Sequence, residues 1–110
     1  MLIYSAKNVK INPFLRNKYL RMVIRLNLLH MKYAVEVARL GSLNKAAESL
    51  LTAQPNISRS IKELEADLGI SIFSRSAKGM VLTPAGEEFI NYAQSILKQI
   101  DDVEALYKQG

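Results

Sequence analysis

Residues 42–65 read Ser-Leu-Asn-Lys-Ala-Ala-Glu-Ser-Leu-Leu-Thr-Ala-Gln-Pro-Asn-Ile-Ser-Arg-Ser-Ile-Lys-Glu-Leu-Glu. The stretch predicts two short helices joined by a tight turn. The first of the pair is expected at about 44–51, with Ser42 or Asn44 available as N-cap and Leu43, Ala46, Ala47, Leu50 and Leu51 as its inward stripe. The Ala46-Ala47 pair is small enough to let another helix approach at a steep angle. The second helix is expected over 54–68. Pro55 sits in its first turn, where a missing N–H costs nothing, and Gly69 ends it. At about 100° per residue, Ile57, Ile61, Leu64 and Leu68 share one narrow face.

The opposite face of that second helix carries Pro55, Arg59 and Lys62, with Gln54 and Ser58 on a flank. Its first half has cations and no acid, whereas Glu63, Glu65 and Asp67 crowd the second half. Acids at a helix C-terminus oppose the dipole, so this polarity is not what isolated helix stability selects. A helix inserted by its N-terminal end into a DNA major groove would keep those acids outside. A surface helix with scattered charges has the same composition, so the feature alone leaves both readings open.

Upstream, Leu29, Tyr33, Val37 and Leu40 recur at helical spacing and predict a helix over about 27–40 that Gly41 terminates. Downstream, Ile70-Ser71-Ile72-Phe73 and Met80-Val81-Leu82 read as short strands flanking the polar run Ser74-Arg75-Ser76-Ala77-Lys78-Gly79. That is a small hairpin with two basic residues near its tip, leaning on the helices through Phe73 and Leu82. The last segment is a helix over about 84–107, with Thr83 as N-cap, Pro84 at N1 and Glu87 and Glu88 at the positive end of the dipole. At about 1.5 Å per residue it reaches about 36 Å. Phe89, Ala93, Ile96, Ile100, Val103 and Tyr107 repeat at spacings of four and three, a heptad seam. The first turns, near Phe89, are expected to pack on the domain itself. The rest calls for a second chain.

Bulk composition excludes more than it selects. The 110 residues suit one small domain, and 49% apolar with 23% charged residues is ordinary for a globular protein. The absence of cysteine rules out disulfides and thiolate metal sites. His30 is the only histidine, expected on the surface of the first helix, so no zinc site and no imidazole-driven catalysis is anticipated. No phosphate loop or H-E-x-x-H spacing is present, and Glu87-Glu88 and Asp101-Asp102 are adjacent on a helix and diverge. The chain is therefore expected to be no enzyme, to need no cofactor and to carry no small-molecule site. No apolar run approaches the roughly 20 residues of a membrane span, and Lys7 and Lys10 interrupt the N-terminus, so an intracellular, cytoplasmic protein is expected.

Net charge is +5, yet seven of the fifteen Lys and Arg and none of the ten acids fall within residues 1–33. The basic excess therefore sits in one arm and says little about the rest. Residues 1–21 show no sustained period. They read as a basic arm, as a transit-like leader or as sequence upstream of a start at Met22.

Taken together, Tyr33-Ala34-Val35-Glu36-Val37-Ala38, Gly41-Ser42-Leu43, Ala46-Ala47, Gln54-Pro55-Asn56-Ile57-Ser58, Ile61-Lys62-Glu63-Leu64-Glu65, Leu68-Gly69, Ile72-Phe73-Ser74-Arg75 and Leu82-Thr83-Pro84-Ala85-Gly86 closely resemble the N-terminal domain of LysR-type transcriptional regulators. The resemblance covers residues 26–107. It implies a mainly α fold: a winged helix-turn-helix of three helices and a β-hairpin wing, followed by a long dimerisation helix. It also implies three segments: an N-terminal extension at 1–21, foreign to the domain or without order; the DNA-binding domain at 22–83; and the linker helix at 84–110, with the effector-binding domain of such regulators absent. Family members start shortly before the first helix, which favours the Met22 reading of the N-terminus.

By the same resemblance the partner is double-stranded DNA, bound as an interrupted palindrome by a homodimer that associates into tetramers in full-length forms, in a bacterial cell. Gln54, Pro55, Asn56, Ser58 and Arg59 would meet base edges. Lys62 and Arg75 would hold phosphates with the N-terminal ends of the second and third helices, where Asn44 and Thr52 lie, and Lys78 would enter or skirt the minor groove. Phe89, Ala93, Ile96, Ile100, Val103 and Tyr107 would form the dimer seam. Two positions depart from the family pattern: Ala53 stands where a capping serine is common, and Lys78 where the wing often presents arginine.

Overall fold

The computed structural model of the chain describes residues 26–108. The expectations for 1–21 and for a start at Met22 lie outside them. Four helices and one hairpin follow in the order α1 (Leu28–Leu40), α2 (Leu43–Ser49), α3 (Gln54–Leu68), β1 (Phe73–Ser76), β2 (Gly79–Leu82) and α4 (Pro84–Tyr107). The mainly α winged helix-turn-helix with a long terminal helix is what the sequence predicts.

The helix ends follow local chemistry. Asn27 caps α1, its side chain accepting from the N–H groups of Leu29 and His30. Ser42, and not Asn44, caps α2 by accepting from Lys45 N–H (3.1 Å). Thr83 caps α4 by accepting from Gly86 N–H (2.8 Å), with Pro84 behind it. Each such cap stabilises its helix by about 1 kcal/mol. Gly41 and Gly69 close α1 and α3 in the left-handed region.

The core joins Met31, Ala34 and Val37 of α1, Leu43, Ala46 and Ala47 of α2, Ile57, Ile61 and Leu64 of α3, Ile72 and Phe73 at the base of the wing, and Ile90 and Ala93 of α4. The stripes expected for α3 and for most of α2 are there. Burying each large member stabilises the domain by roughly 1.5–3 kcal/mol. In α1 the phase differs from expectation: Leu29 is half exposed, Tyr33 and Leu40 are half-buried, and the buried centre runs through Met31, Ala34 and Val37. The physical reason is that α1 packs against α2, α3 and α4 at once. Its buried arc is therefore wide, and Leu29, Tyr33 and Leu40 lie along one margin of it while Met31 fills its centre.

Leu51 is a second departure. The sequence places it in the α2 stripe, but α2 stops at Ser49 and Leu51 lies in the turn, 93% exposed, at φ 55°. That left-handed conformation is uncommon for a branched side chain. It turns the chain sharply enough for Thr52 N–H to donate back to the Ala47 carbonyl (3.0 Å) and for α3 to begin two residues later.

The wing is shifted relative to expectation. Its strands pair Phe73 with Leu82, Ser74 with Val81, Arg75 with Met80 and Ser76 with Gly79, leaving only Ala77 and Lys78 at the tip. Ser76 Oγ accepts from Lys78 N–H (3.0 Å) and donates to the Gly79 carbonyl (3.3 Å), which tightens the turn. At Gly79 a left-handed φ of 111° and a close approach coincide, since a Cβ there would sit 2.6 Å from the Gly41 carbonyl oxygen. The approach lets Met80 N–H donate to that same oxygen (3.2 Å), tying β2 to the turn between α1 and α2.

At the foot of the wing Thr83 N–H donates to the Ile72 carbonyl (3.0 Å) and Thr83 Oγ1 donates to the Ser71 carbonyl (2.6 Å). A Cβ on Gly86 would collide with the Ile72 carbonyl, so α4 can start against the wing only with glycine there. Among the described residues no helix is long and apolar enough to cross a membrane.

Candidate functional site

The outer face of α3 is built by what its inner face consumes. With Ile57, Ser60, Ile61 and Leu64 buried, the helical period leaves Pro55, Asn56, Arg59 and Lys62 exposed and Gln54 and Ser58 half-buried. Ala53 makes no side-chain cap, so the N–H groups of the first turn of α3 face outward without a side-chain acceptor. Three of the expected contact residues are already linked. Asn56 Nδ2 donates to Thr52 Oγ1 (3.2 Å), and Arg59 donates to Asn56 Oδ1 (2.9 Å). The chain restricts Arg59 to a position over the N-terminal half of the helix. Thr52 itself is half-buried and supports the face from behind.

Two depressions collect the remaining polar groups. Gln54, Pro55, Ser58, Arg59 and Lys62 line an open trough along α3, together with Glu63 and Ala66. Asn44, Gln54 and Arg75 line a cleft of about 250 Å3 between the start of α2, the start of α3 and the wing. Gln54 belongs to both. Arg75 is not near the hairpin tip, as the sequence suggested, but within β1 opposite Met80. Of the two basic wing residues only Lys78 occupies the tip, exposed and lining neither depression. The structure therefore places Gln54, Pro55, Asn56, Ser58, Arg59 and Lys62 on one helix face, sets Asn44 and Arg75 beside it, and holds Lys78 apart.

The α4 seam divides. Ala93 is fully buried inside the domain beside the buried Ile90, and Phe89 is half-buried, so two of the six expected seam residues are occupied by their own chain. The reason is that the first turns of α4 lie against α1. Ile100 is half-buried, while Ile96, Val103 and Tyr107 remain 40%, 56% and 79% exposed. Tyr92 and Leu106, also exposed, extend the same stripe; the strict four-three spacing passed over them.

Sequence reasoning missed two polar junctions. Glu65 Oε2 accepts from Ile72 N–H (2.7 Å) and Phe73 N–H (3.3 Å), a link from α3 to the wing that only the fold creates. Glu36 accepts from Arg39 Nε (2.8 Å) and NH2 (2.6 Å) and from the Ser49 hydroxyl, joining α1 to α2. The Arg39 guanidinium, then the Ser49 hydroxyl, hold the Glu36 carboxyl down at about 2, against a smaller opposing effect of burial. The i,i+3 spacing of Glu36 and Arg39 was a legible signal; Ser49 was not.

His30 also departs from expectation. Its side chain is only 16% exposed, its Nε2 is 3.8 Å from Glu63, and its Nδ1 is buried without a hydrogen-bond partner. The side of α1 judged outward is covered by α3. No group of three or more His, Cys, Asp or Glu able to hold a metal occurs among the described residues.

Against known proteins, residues 28–87 match the family described as bacterial regulatory helix-turn-helix protein, lysR family. An uncharacterized HTH-type transcriptional regulator of Bacillus subtilis, YcgK, is 49% identical over 73 residues, which is 66% of this chain and 22% of that protein. The crystal structure of the BenM_DBD/catB site 1 DNA complex superposes at a TM-score of 0.71 with 38% identity, covering 74% of this chain and 88% of the other. The CbnR_DBD–DNA complex does so at 0.67 with 38% identity, covering 70% and 88%. The chain spans 20% to 28% of the length of the curated relatives it matches.

Proposed function

The chain belongs to the lysR family of bacterial regulatory helix-turn-helix proteins, and from that premise we propose that it is the sequence-specific double-stranded DNA-binding domain of a transcriptional regulator. The observation that carries the reading is the exposed, cationic and internally braced outer face of α3 beside a basic wing. BenM and CbnR domains of the same fold, at 38% identity, have been solved on DNA.

In this reading α3 enters the major groove. Arg59 suits a guanine through its O6 and N7, and Gln54 an adenine through N6 and N7; Pro55, Asn56 and Ser58 complete the contact with base edges. Lys62 and Arg75 hold phosphates on the two sides of the notch between α3 and β1, with Asn44 and the start of α3, and Lys78 at the tip reaches the minor groove. Lysine there gives a point charge without the guanidinium fork, so preference for narrow A·T grooves is weaker than arginine would provide.

The exposed stripe of α4 joins two such domains, so the site is an interrupted palindrome and the working unit a dimer, or a tetramer in a longer protein. Binding is the whole chemistry of the domain: it needs no cofactor, catalyses no reaction and acts where the chromosome is, in the bacterial cytoplasm. Selection of duplexes from a random pool, followed by sequencing of the winners, tests this directly. Enrichment of two inverted half-sites at fixed spacing is expected. Winners with no shared sequence would reduce the protein to a general polyanion binder.

A further inference from the structure

Glu65 lies in the second half of α3 and receives the segment that leads into the wing. Its carboxylate Oε2 accepts from the N–H groups of Ile72 (2.7 Å) and Phe73 (3.3 Å). Its backbone carbonyl accepts from those of Gly69 (2.8 Å) and Ile70 (3.3 Å). Ile72 is fully buried, which leaves its amide no water to turn to, and Phe73 is buried beside it. Phe73 opens β1, so one side chain of α3 sets where the wing begins. The other strand is held elsewhere, by Met80 N–H on the Gly41 carbonyl. A hairpin of four residues per strand is marginal alone, and its direction is decided by such tethers.

We infer that Glu65 is a positioning residue for DNA binding: it fixes the wing against α3, so that Arg75 and Lys78 meet the backbone and minor groove in register with Arg59 in the major groove. The inference rests on the DNA-binding reading above and adds to it a group that touches no DNA. An ionised acceptor suits the task, because charge-assisted bonds are roughly twice as strong as neutral ones and two amides converge on one oxygen. The location also makes the sign of the effect diagnostic. Glu65 shares the notch between α3 and the wing with Lys62 and Arg75. Simple electrostatics therefore expects DNA to bind more tightly when this acid is removed, whereas a positioning role expects the wing contribution to disappear.

The test uses the full chain and a selected duplex titrated over a range of salt. Lys78→Ala and Arg59→Ala are each made in the native, Glu65→Ala and Glu65→Gln backgrounds. In the native background Lys78→Ala should lower the salt slope by about one unit. In Glu65→Ala that dependence on Lys78 should vanish while the fold-loss caused by Arg59→Ala persists. Glu65→Gln, which keeps an acceptor oxygen, should recover part of the Lys78 dependence.

An undiminished Lys78 dependence in Glu65→Ala overturns the inference, as does parallel loss of the Lys78 and Arg59 effects, which would mean general loosening. Should Glu65→Ala not fold, Glu65→Gln decides. Faster amide exchange at Ile72 and Phe73 with unchanged exchange at Ile61 and Leu64, and a weakened Lys78 dependence, supports the role. Unchanged exchange with full Lys78 dependence overturns it. A native chain indifferent to Lys78→Ala also overturns it. A native chain that binds no duplex takes the functional reading down as well, and is recognised by that first titration alone.

Discussion

α3 and α4 solve opposite problems with the same amphipathic pattern. In α3 the apolar stripe is spent inside the domain: Ile57, Ile61 and Leu64 are buried, and what the first half of the helix leaves outside is Arg59, Lys62, Pro55 and uncharged polar groups, with Glu63 exposed only beyond them. In α4 the first turns are spent in the same way, through Ile90 and Ala93, but the stripe continues past the edge of the domain, and Ile96, Val103, Leu106 and Tyr107 lie open. A face left cationic suits a polyanion. A face left apolar over several turns suits another protein chain, because water is its poorest neighbour. On the function proposed above, the first face would read DNA and the second would join two chains.

The largest expected effect breaks the α4 half of this contrast. Val103→Asp puts a charge on the open stripe at a residue that takes no part in the domain core, so the fold should persist while the dimer dissociates. Sedimentation should then report a monomer, and affinity for a two-half-site duplex should fall by about 10²–10⁴-fold, because the second half-site is no longer delivered at high effective concentration. An intact dimer would show that the exposed stripe is not the seam.

Next in size is the α3 half. Arg59→Ala should cost about 1–3 kcal/mol on the selected site and little on random DNA. Equal losses on both duplexes, measured by fluorescence anisotropy, would make Arg59 a phosphate contact and remove base reading from this position.

These two helices were also the most legible parts of the sequence. Pro55 with Gly69, and Thr83 with Pro84, mark helix ends through chemistry local to a few residues, and the structure places α3 and α4 where those residues put them. The hairpin was visible as two apolar runs, but its register was not. Ser74, Arg75 and Ser76 look like loop residues and become strand because β2 is tied to the Gly41 carbonyl from outside the hairpin. The phase of α1 was hidden for a similar reason: three neighbours bury a wide arc, and periodicity of large residues reports only one margin of it. Of the candidate site, the α3 face was readable residue by residue. Its internal link from Thr52 through Asn56 to Arg59 runs over helical spacings of four and three, a signal of the same kind as Glu36 with Arg39, whereas the Glu65 tether and the loss of Ala93 from the seam depend on a partner outside the helix or on packing depth.

Leu51 sharpens what exposure means. It is the most exposed large apolar residue of the described chain, yet it stands alone in a turn, and a single exposed leucine is unremarkable on a protein surface. If the continuous α4 stripe is the interface, Leu51→Gly should leave both oligomeric state and DNA affinity unchanged. It should also raise stability slightly, since relief of the left-handed backbone (about 1–2 kcal/mol) outweighs the extra freedom glycine gives the unfolded chain (about 0.5–1 kcal/mol). Urea unfolding with a midpoint at or below that of the native chain would mean that the turn holds Leu51 for a contact it makes.

The smallest effect concerns cations that resemble one another in sequence and differ in partner. Among the described residues Arg39 is paired with an acid, Glu36, whereas Arg59 bonds to the amide oxygen of Asn56 and keeps its charge available. Arg39→Ala should therefore leave the DNA salt slope unchanged. Its acid partner should show in stability instead. Glu36 is held at about 2, below its ordinary 4.5, so its pairing with Arg39 and Ser49 stabilises the fold fully above pH 4.5 and is lost as the pH falls toward 2. Glu36→Gln should accordingly be less stable than the native chain at pH 7, by a modest amount because Arg39 is largely exposed and solvent screens the pair. The difference should close between pH 4.5 and 2 in thermal unfolding followed by circular dichroism. A gap that stays constant across that window would assign the loss to packing and hydrogen bonding of the Glu36 side chain and remove charge from the account, leaving Arg39 as unpaired in effect as Arg59.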